Sequence, residues 1–215
     1  MIKKIIVNAD DFGLAKEFNK GIIDLAKQGF VTSTTILINR KHTGKYWFLS
    51  LNEYSKAPIS VGLHLEIADN ASVKEIEEQI SKFKQKTGFL PSHLDGHNHC
   101  HLTKNNLPIV IKVAKKYNFP LRSSALSNRR LIKKEKIKTP DKFISWHPIR
   151  KESLFKELKK NNSEITEMVC HPGYRDQKTL YPYNKQREEE IKVFKSENFR
   201  ELIRGYQMVN YKVFL

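Results

Sequence analysis

Short β-like runs alternate with longer amphipathic stretches along the chain, and this alternation limits the fold more than any other feature. The first unit joins an apolar run at residues 3–8 to residues 14–28, where apolar side chains recur at helical spacing. Chains that repeat strand and helix in this way pack their helices over a mainly parallel sheet. The sequence therefore predicts an α/β fold, either an open doubly wound sheet or a closed (β/α) barrel.

The same patterns place the remaining elements. Ser72 is a candidate N-cap, and Glu75 stands three residues later, where a capping box would need it. With 215 residues and no break in composition, the chain is predicted to form a single domain, residues 1–215. Strands are predicted at residues 3–8, 32–39, 59–67, 92–97, 120–123, 164–170 and 211–215, and helices at residues 14–28, 43–54, 73–86, 105–117, 153–160 and 185–195. Residues 124–146 fit neither pattern and are predicted to be a loop or insertion over the mouth of the fold.

The charge of the chain is strongly positive, at +16, yet it does not favour a nucleic-acid partner. Lysines are spread along the whole sequence, and the densest basic run, residues 129–136, has no aromatic residue to stack on a base. No apolar run approaches the roughly 20 residues of a membrane span. The first residues lack the apolar core of a signal peptide, and the two cysteines form no CxxC pair. We expect a cytoplasmic protein without a membrane or nucleic-acid partner, whose basic surface could attract acidic substrates.

Polar residues of the kinds used in catalysis follow the predicted strands. In parallel α/β folds the carboxyl ends of the strands share one edge, and active sites are built there. We therefore expect these side chains to converge on one site. They are Asp10 and Asp11 after the first strand, His64 in the third, the stretch Asp95–Gly96–His97–Asn98–His99–Cys100–His101 after the fourth, Arg122 after the fifth, and Glu167 and His171 in and after the sixth.

The histidine-rich stretch has two interpretations. If the strand stays extended, its period of two places Asp95, His97, His99 and His101 on one side, and an HxH pair can bring two imidazoles to one cation. A typical catalytic metal site takes three protein ligands, so the other residues would orient the ligands or contact substrate. The alternative is a histidine-rich surface loop.

The other candidates also have two interpretations each. Adjacent carboxylates such as Asp10 and Asp11 repel one another unless a cation is near, but either could simply cap the following helix. Arg122 could form a bidentate pair with Asp10 or lie on the surface. His64 is either a site residue or a neutral core histidine. His171, before a Pro-Gly turn, is either an acid–base group or a turn-packing residue.

Five short motifs occur in an order that suggests a family. They are Asn-Ala-Asp-Asp-Phe-Gly at residues 8–13, Thr-Ser-Thr-Thr at 32–35, Gly-Leu-His at 62–64, His-Leu-Asp-Gly-His-Asn-His at 93–99 and Cys-His-Pro-Gly at 170–173. Together they resemble the YdjC-like carbohydrate deacetylases, also called chitooligosaccharide deacetylases. The resemblance extends from the first strand to about Tyr174, and it implies a barrel-like α/β fold related to the polysaccharide deacetylases.

The resemblance also implies a reaction. A water activated by one divalent metal would hydrolyse an N-acetyl group from an amino sugar or a short acetylated oligosaccharide, phosphorylated or not. By motif, the metal ligands would be Asp11, His64 and His97, the general base Asp10 and the general acid His171. Arg122 would tune Asp10, while the residues that orient ligands or contact substrate would be Asp95, His99, His101 and Glu167.

The metal and the partners are left open by the resemblance. Two imidazoles suit zinc, cobalt or manganese better than magnesium, although relatives are often described with magnesium. Relatives also suggest a homodimer. The aromatic residues that could line a sugar site are Phe12, Tyr174, Trp146 and Tyr181. Most of them could instead pack in the core.

Two other functions compete with this one. The first is a different metal hydrolase, a phosphoesterase or cyclic amidohydrolase, whose HxH pair at His97 and His99 supplies two ligands. The second is a basic binding protein with a degenerate site. Loss of metal binding in a His99 variant as large as in a His97 variant would favour the first of these.

Overall fold

Parallel strands form the centre of the fold in the computed structural model, which describes residues 2–44, 59–145, 151–177, 181 and 183–214. The described strands are β1 (Lys4–Phe12), β2 (Ser33–Ile36), β3 (Ser60–Leu65), β4 (Leu94–Gly96), β5 (Lys142–Ser145), β6 (Ile165–Cys170) and β7 (Gln207–Val209). They are ordered β4-β3-β2-β1-β6-β5, and β7 pairs with the start of β1. Every pairing is parallel, which confirms the α/β prediction.

Helices follow most of the strands and pack their apolar faces against the sheet. They are α1 (Lys16–Lys27), α2 (Val73–Thr87), α3 (Asn106–Tyr117), α4 (Leu126–Lys134), α5 (Lys151–Lys160), α6 (Asn184–Lys195) and α7 (Glu197–Ile203). The capping box predicted at the start of α2 is present, because Ser72 accepts from the Glu75 N–H and Glu75 accepts from the Ser72 N–H. None of the helices in the described ranges is long and apolar enough to cross a membrane.

Strand β1 is the axis of the sheet and carries the site. Its residues after Lys4 are all buried, as expected for a strand paired on both edges and covered on both faces. Ala9 is in register with Thr34 of β2 and with Cys170, the last residue of β6, and β1 and β2 then continue to the pair Phe12 and Ile36. This register places Asp10 and Asp11 beside the end of β2 and the residues that follow β6.

The open edges of the sheet are brought together by irregular backbone pairing, which gives the fold its barrel-like form. Leu94 of β4 forms a parallel bridge with Leu121, whose N–H donates to the Lys138 carbonyl at 2.9 Å. Three residues further on, the Asp141 N–H donates to Ile165 at the start of β6. Closing a sheet in this way removes exposed strand edges.

The structure differs from the predicted elements at the chain's last residues. Residues 211–215 are predicted as a strand, but Tyr211–Phe214 form a 3₁₀ helix and the strand, Gln207–Val209, comes just before it. Tyr211 is fully buried and stacks on His93 with ring centroids 3.5 Å apart. Packing of one large ring, rather than strand pairing, therefore fixes this segment.

Residues 124–146 are also more regular than predicted, since they contain α4 and β5. Only two side chains of α4 are buried, Arg129 and Ile132, so its sequence lacks the apolar stripe that reveals a helix. The short helix α7 is likewise absent from the prediction. Most of the predicted helix 43–54 lies outside the described residues.

Candidate active site

A cavity of about 490 Å³ opens where the strands end. Because β1, β3, β4 and β6 run parallel, the polar residues at their carboxyl ends reach the same space. Of the residues predicted from sequence, the cavity is lined by Asp10, Asp11, His64, His97, His99 and His171. Asp95, His101, Arg122 and Glu167 lie behind them, each fully buried.

Asp11, His64 and His97 bring three metal-ligating atoms within 4.8 Å of one another. The Asp11 Oδ1 atom lies 3.5 Å from His64 Nε2 and 3.1 Å from His97 Nδ1. Ligand atoms held at about 2.0–2.1 Å from a tetrahedral zinc ion lie about 3.3 Å apart. The two distances bracket this value, so one carboxylate and two imidazoles fit a single divalent cation.

A second acidic group, Asp10 with His64 and Asp95, fits a cation less well. The His64 Nδ1 atom is only 2.7 Å from Asp95 Oδ1, which is the distance of a hydrogen bond. All three residues are buried, and Arg122 already lies against both carboxylates. This group is therefore better suited to orienting side chains than to holding a cation.

Asp95 fixes the orientation of His64. Its Oδ1 lies 2.7 Å from His64 Nδ1, and its Oδ2 accepts from the Thr35 hydroxyl at 3.0 Å. The His64 ring is therefore held with its Nε2 atom toward Asp11. Burial lowers the pKa of His64, but Asp95 and Asp10 outweigh burial and raise it well above its ordinary value. A carboxylate behind a ligating histidine is the usual arrangement around protein-bound metals.

Arg122 forms the predicted bidentate pair with Asp10 and is fully buried, not a surface residue. Its Nη1 and Nη2 atoms donate to Asp10 Oδ2 and Oδ1 at 2.7 and 2.8 Å. Asn8 donates to the same Oδ1 atom at 2.8 Å. Burial raises the pKa of Asp10, but the Arg122 charge more than offsets it, and the net pKa is lowered. Asp10 is therefore held as a carboxylate.

Arg122 also contacts two further carboxylates. Its Nη2 atom lies 2.8 Å from Asp95 Oδ2, and its Nε atom donates to Glu167 Oε1 at 2.9 Å. Burial raises the pKa of Glu167 despite the nearby guanidinium. Arg122 thus joins the base candidate Asp10 to the carboxylate that orients His64.

His171 approaches Asp10 from the end of β6. Its Nε2 atom lies 4.0 Å from Asp10 Oδ2, and 36% of its side chain is exposed. Burial lowers the pKa of His171, and the neighbouring carboxylates Asp11 and Asp10 only partly offset this. An imidazole with a lowered pKa is mostly neutral at pH 7, so to act as an acid His171 would first take up a proton in the cavity that it faces.

The histidine-rich stretch does not remain extended, so it has no period of two. Strand β4 ends at Gly96, and His97–Leu102 form a 3₁₀ helix in which Asn98 and His99 have φ values of 49° and 57°. A Cβ atom on Gly96 would lie 2.8 Å from both Cys100 Sγ and His101 Nδ1, so the turn requires glycine there. The turn sends His97 toward Asp11 and His101 into the core.

His99 and His101 therefore occupy different environments. His99 lines the cavity and packs its ring edge-on against Phe143, with centroids 5.5 Å apart. His101 is fully buried, and neither ring nitrogen has a hydrogen-bond partner within the described ranges. Burial lowers the pKa of His101 to about 3. Its placement favours a neutral core role over contact with substrate.

The pKa of His101 predicts how the metal-free protein loses stability in acid. A histidine with a pKa of about 3 when folded and 6.5 when unfolded stabilises the fold fully above pH 6.5 and progressively less as the pH falls toward 3. From pH 7.5 to 5, this one group lowers the free energy of unfolding by about 2 kcal/mol. His101→Leu should lose about that much less over this range in urea unfolding. An unchanged pH dependence would show that His101 titrates normally.

Two charged side chains of the cavity lining are absent from the predictions made from sequence, Arg187 and Glu190 of α6. Both are buried and both line the cavity. They share a helical face with Ile191 and Phe194, at spacings of three, four and seven. Charged residues within a stripe that otherwise reads as core-facing are the signal that would have found them.

The aromatic candidates separate by position. Tyr181 lines the cavity, as does Tyr183, which was not predicted. Phe12 lies in the core, and the Tyr174 hydroxyl donates to Asp24 at 2.5 Å. Trp146 lies outside the described residues.

Comparison with known proteins places this site in a family. The model of the YdjC-like protein family matches residues 4–74 and 68–205. A carbohydrate deacetylase of Clostridium beijerinckii is 30% identical over 97% of this chain and 99% of its own length. The resemblance inferred from the five motifs is confirmed.

Solved structures agree on the fold. A protein of Enterococcus faecalis, proposed to act in cellobiose-phosphate cleavage, superposes with a TM-score of 0.85 at 25% identity and covers 99% of both chains. A peptidoglycan deacetylase of Bacillus subtilis gives a TM-score of 0.52 at 15% identity, covering 99% of this chain and 90% of its own. The predicted relation to the polysaccharide deacetylase fold is confirmed. The chain belongs to the YdjC-like protein family.

Proposed function

We propose that this protein is a metal-dependent carbohydrate deacetylase that hydrolyses the N-acetyl group of an amino sugar or a short acetylated oligosaccharide. The observation that carries the proposal is the grouping of Asp11, His64 and His97 within 4.8 Å, beside Asp10 and His171 in one cavity. Relatives named carbohydrate deacetylase that match nearly the whole chain support the substrate class.

Asp11, His64 and His97 would hold the cation. When bound, a divalent ion there would polarise the acetyl carbonyl and lower the pKa of a coordinated water. Each ligating imidazole needs one unprotonated nitrogen. Asp95 binds His64 Nδ1 and leaves Nε2 directed at Asp11, and a bound ion would displace the second proton that the raised pKa of His64 favours in the metal-free protein.

Asp10 and His171 would move the protons. Arg122 keeps Asp10 ionised, so Asp10 can take a proton from the attacking water. His171, whose Nε2 atom is 4.0 Å from Asp10 Oδ2, would donate a proton to the departing amine nitrogen. An amide needs both transfers, because the water is a poor nucleophile and the amine leaves only when protonated. Both side chains line the cavity and could serve these two transfers.

The cavity suits a sugar more than a peptide-sized ligand. Its volume, about 490 Å³, falls in the range of small-ligand pockets. Tyr181 and Tyr183 offer apolar ring faces with polar tips, which pack against sugar rings and bond to their hydroxyl groups. A cytoplasmic location, a homodimer and a phosphorylated substrate remain predictions from the sequence and the resemblance.

Acetate release tests the proposal. Purified protein is freed of metal with a chelator, reloaded with magnesium, manganese, cobalt or zinc, and incubated with N-acetylated mono- and disaccharides, with and without a phosphate group. We expect acetate to appear only after reloading, and Asp10→Asn to lower kcat by about 10²–10⁴-fold while metal binding persists. If no metal and sugar combination releases acetate, the proposal is wrong.

The alternative metal hydrolase uses His97 and His99 together. In the described parts of the chain, His97 belongs to a group able to hold a cation and His99 does not. We expect His97→Ala to weaken metal binding by more than about 100-fold, beyond the loss typical of outer partners. His99→Ala, the matched control in the same turn, should bind the metal within a few-fold of the parent by calorimetry. Equal losses would favour the alternative.

A further inference from the structure

We infer that Arg187 and Glu190 of α6 are positioning residues that fix the metal ligand Asp11 and the general acid His171 relative to each other. The inference rests on the proposed function and deepens it. Both residues lie on one face of α6, which contacts Asp11 and the backbone of His171. None of the five motifs includes this face.

Arg187 holds the oxygen of Asp11 that does not face the histidines. Its Nη2 atom lies 2.5 Å from Asp11 Oδ2, whereas Oδ1 faces His64 and His97. The guanidinium carbon lies 4.2 Å above the ring centroid of Phe18, and only 5% of Arg187 is exposed. Stacking and burial leave the guanidinium little freedom. Asp11 is therefore held with one oxygen directed at the candidate ion.

The same helix holds the backbone of His171 on both sides. The His171 N–H donates to Glu190 Oε2 at 2.5 Å, and Arg187 Nη1 donates to the His171 carbonyl at 3.5 Å. The Arg187 carbonyl accepts from the Gly173 N–H at 3.3 Å. Three contacts thus fix the turn that carries the acid, and Arg187 takes part in two of them.

Helix α1 closes the turn from the opposite side. A Cβ atom on Gly21 would lie 2.6 Å from the Gly173 Cα atom, and one on Gly173 would lie 2.8 Å from the Phe18 ring. The turn after His171 is therefore packed between α1 and α6, with no room to shift. A displacement of the Arg187 side chain would move Asp11 and His171 together.

Calorimetric titration with zinc or cobalt, without substrate, tests the contact with Asp11. Arg187→Met retains an unbranched stem to pack on Phe18 but loses the hydrogen bonds, and we expect metal affinity to fall about 10–100-fold. Lys192→Met, an exposed cation removed from the same helix, is the matched control and should bind like the parent. If Arg187→Met fails to fold, Arg187→Lys replaces it, with an expected loss of at least about tenfold.

Kinetics at saturating metal test the contact with His171. Glu190→Ala should lower kcat at least about tenfold, with KM and metal affinity unchanged, because the acid is misplaced and the ion is not. Glu190→Gln keeps an oxygen that accepts from the His171 N–H, so it should recover most of kcat. If Glu190 were needed only for folding, its replacement would lower the melting temperature. It would not lower kcat while leaving KM and metal affinity unchanged.

The outcomes separate the two proposals. If the parent protein binds metal and releases acetate while Arg187→Met binds metal as tightly and Glu190→Ala keeps full kcat, the positioning role is wrong and the proposed function stands. If the parent protein binds no divalent metal or releases no acetate, the proposed function fails first. The expected pattern, with metal affinity lost in one variant and kcat in the other, supports the positioning role.

Discussion

Replacing His64 by alanine is expected to abolish metal binding and activity together. His64 supplies one of the three candidate ligand atoms and is 2% exposed. Because the position is buried, no side chain from the surface can supply the missing ligand atom. We expect metal affinity to fall by more than about 100-fold, a larger loss than for a partner behind the ligands. Asp95→Asn, which removes the carboxylate behind His64, should cost about 10–100-fold. Calorimetry and acetate release measure both effects.

The His64 result needs a control for general damage. His42→Ala removes a histidine outside the cavity lining and should leave metal affinity unchanged. Near-parental metal binding by a folded His64→Ala protein would contradict the ligand set. Such a result would indicate that the remaining carboxylates bind the cation.

Replacing Arg122 by leucine is expected to destabilise the fold and stop catalysis. The guanidinium is fully buried and lies 2.7–2.8 Å from Asp10, Asp95 and Glu167, so three acidic side chains share its one positive charge. Removing one partner of a buried ion pair typically costs about 3–5 kcal/mol because the remaining charge is uncompensated. Without that charge, burial and the neighbouring Asp95 raise the pKa of Asp10, so the carboxylate form needed for a base is less favoured. Urea unfolding and acetate release measure the two losses.

Two further substitutions bracket the Arg122 result. Arg122→Lys keeps a positive charge but cannot form the bidentate pair, so its loss of stability should be smaller. Arg130→Leu removes an exposed arginine of α4 and should change the free energy of unfolding by less than about 0.5 kcal/mol. A loss of under about 1 kcal/mol in Arg122→Leu would show that the three carboxylates are compensated by other means.

The polar strand ends were the part of the site that sequence could predict. The residue pattern that marks a strand is local, and the carboxyl ends of parallel strands meet at one edge of the sheet, so Asp10, Asp11, His64 and His171 could be placed together from the sequence. The sequence left two positions open for Arg122, paired with Asp10 or on the surface, and the structure has the buried pair. Asp10, Asp11, His64 and His171 line one cavity, and their roles in metal binding and catalysis stay predictions.

The histidine-rich stretch shows where sequence reasoning stops. An alternating pattern predicts one face only while the backbone stays extended, and the close packing at Gly96 ends the strand one residue before His97. Arg187 and Glu190 were missed for a different reason. A highly charged helix reads as solvent-facing, and its burial depends on contacts with Asp11 and His171, which are far away in sequence.

The central claim is that Asp11, His64 and His97 hold one divalent ion at the base of the cavity. A crystal structure of the metal-loaded protein, with diffraction measured on both sides of the metal's absorption edge, tests it most directly. We predict one anomalous peak within about 2.0–2.2 Å of Asp11 Oδ1, His64 Nε2 and His97 Nδ1. A peak at Asp10 and Asp95, or none in the cavity of protein shown to contain metal, would contradict the claim.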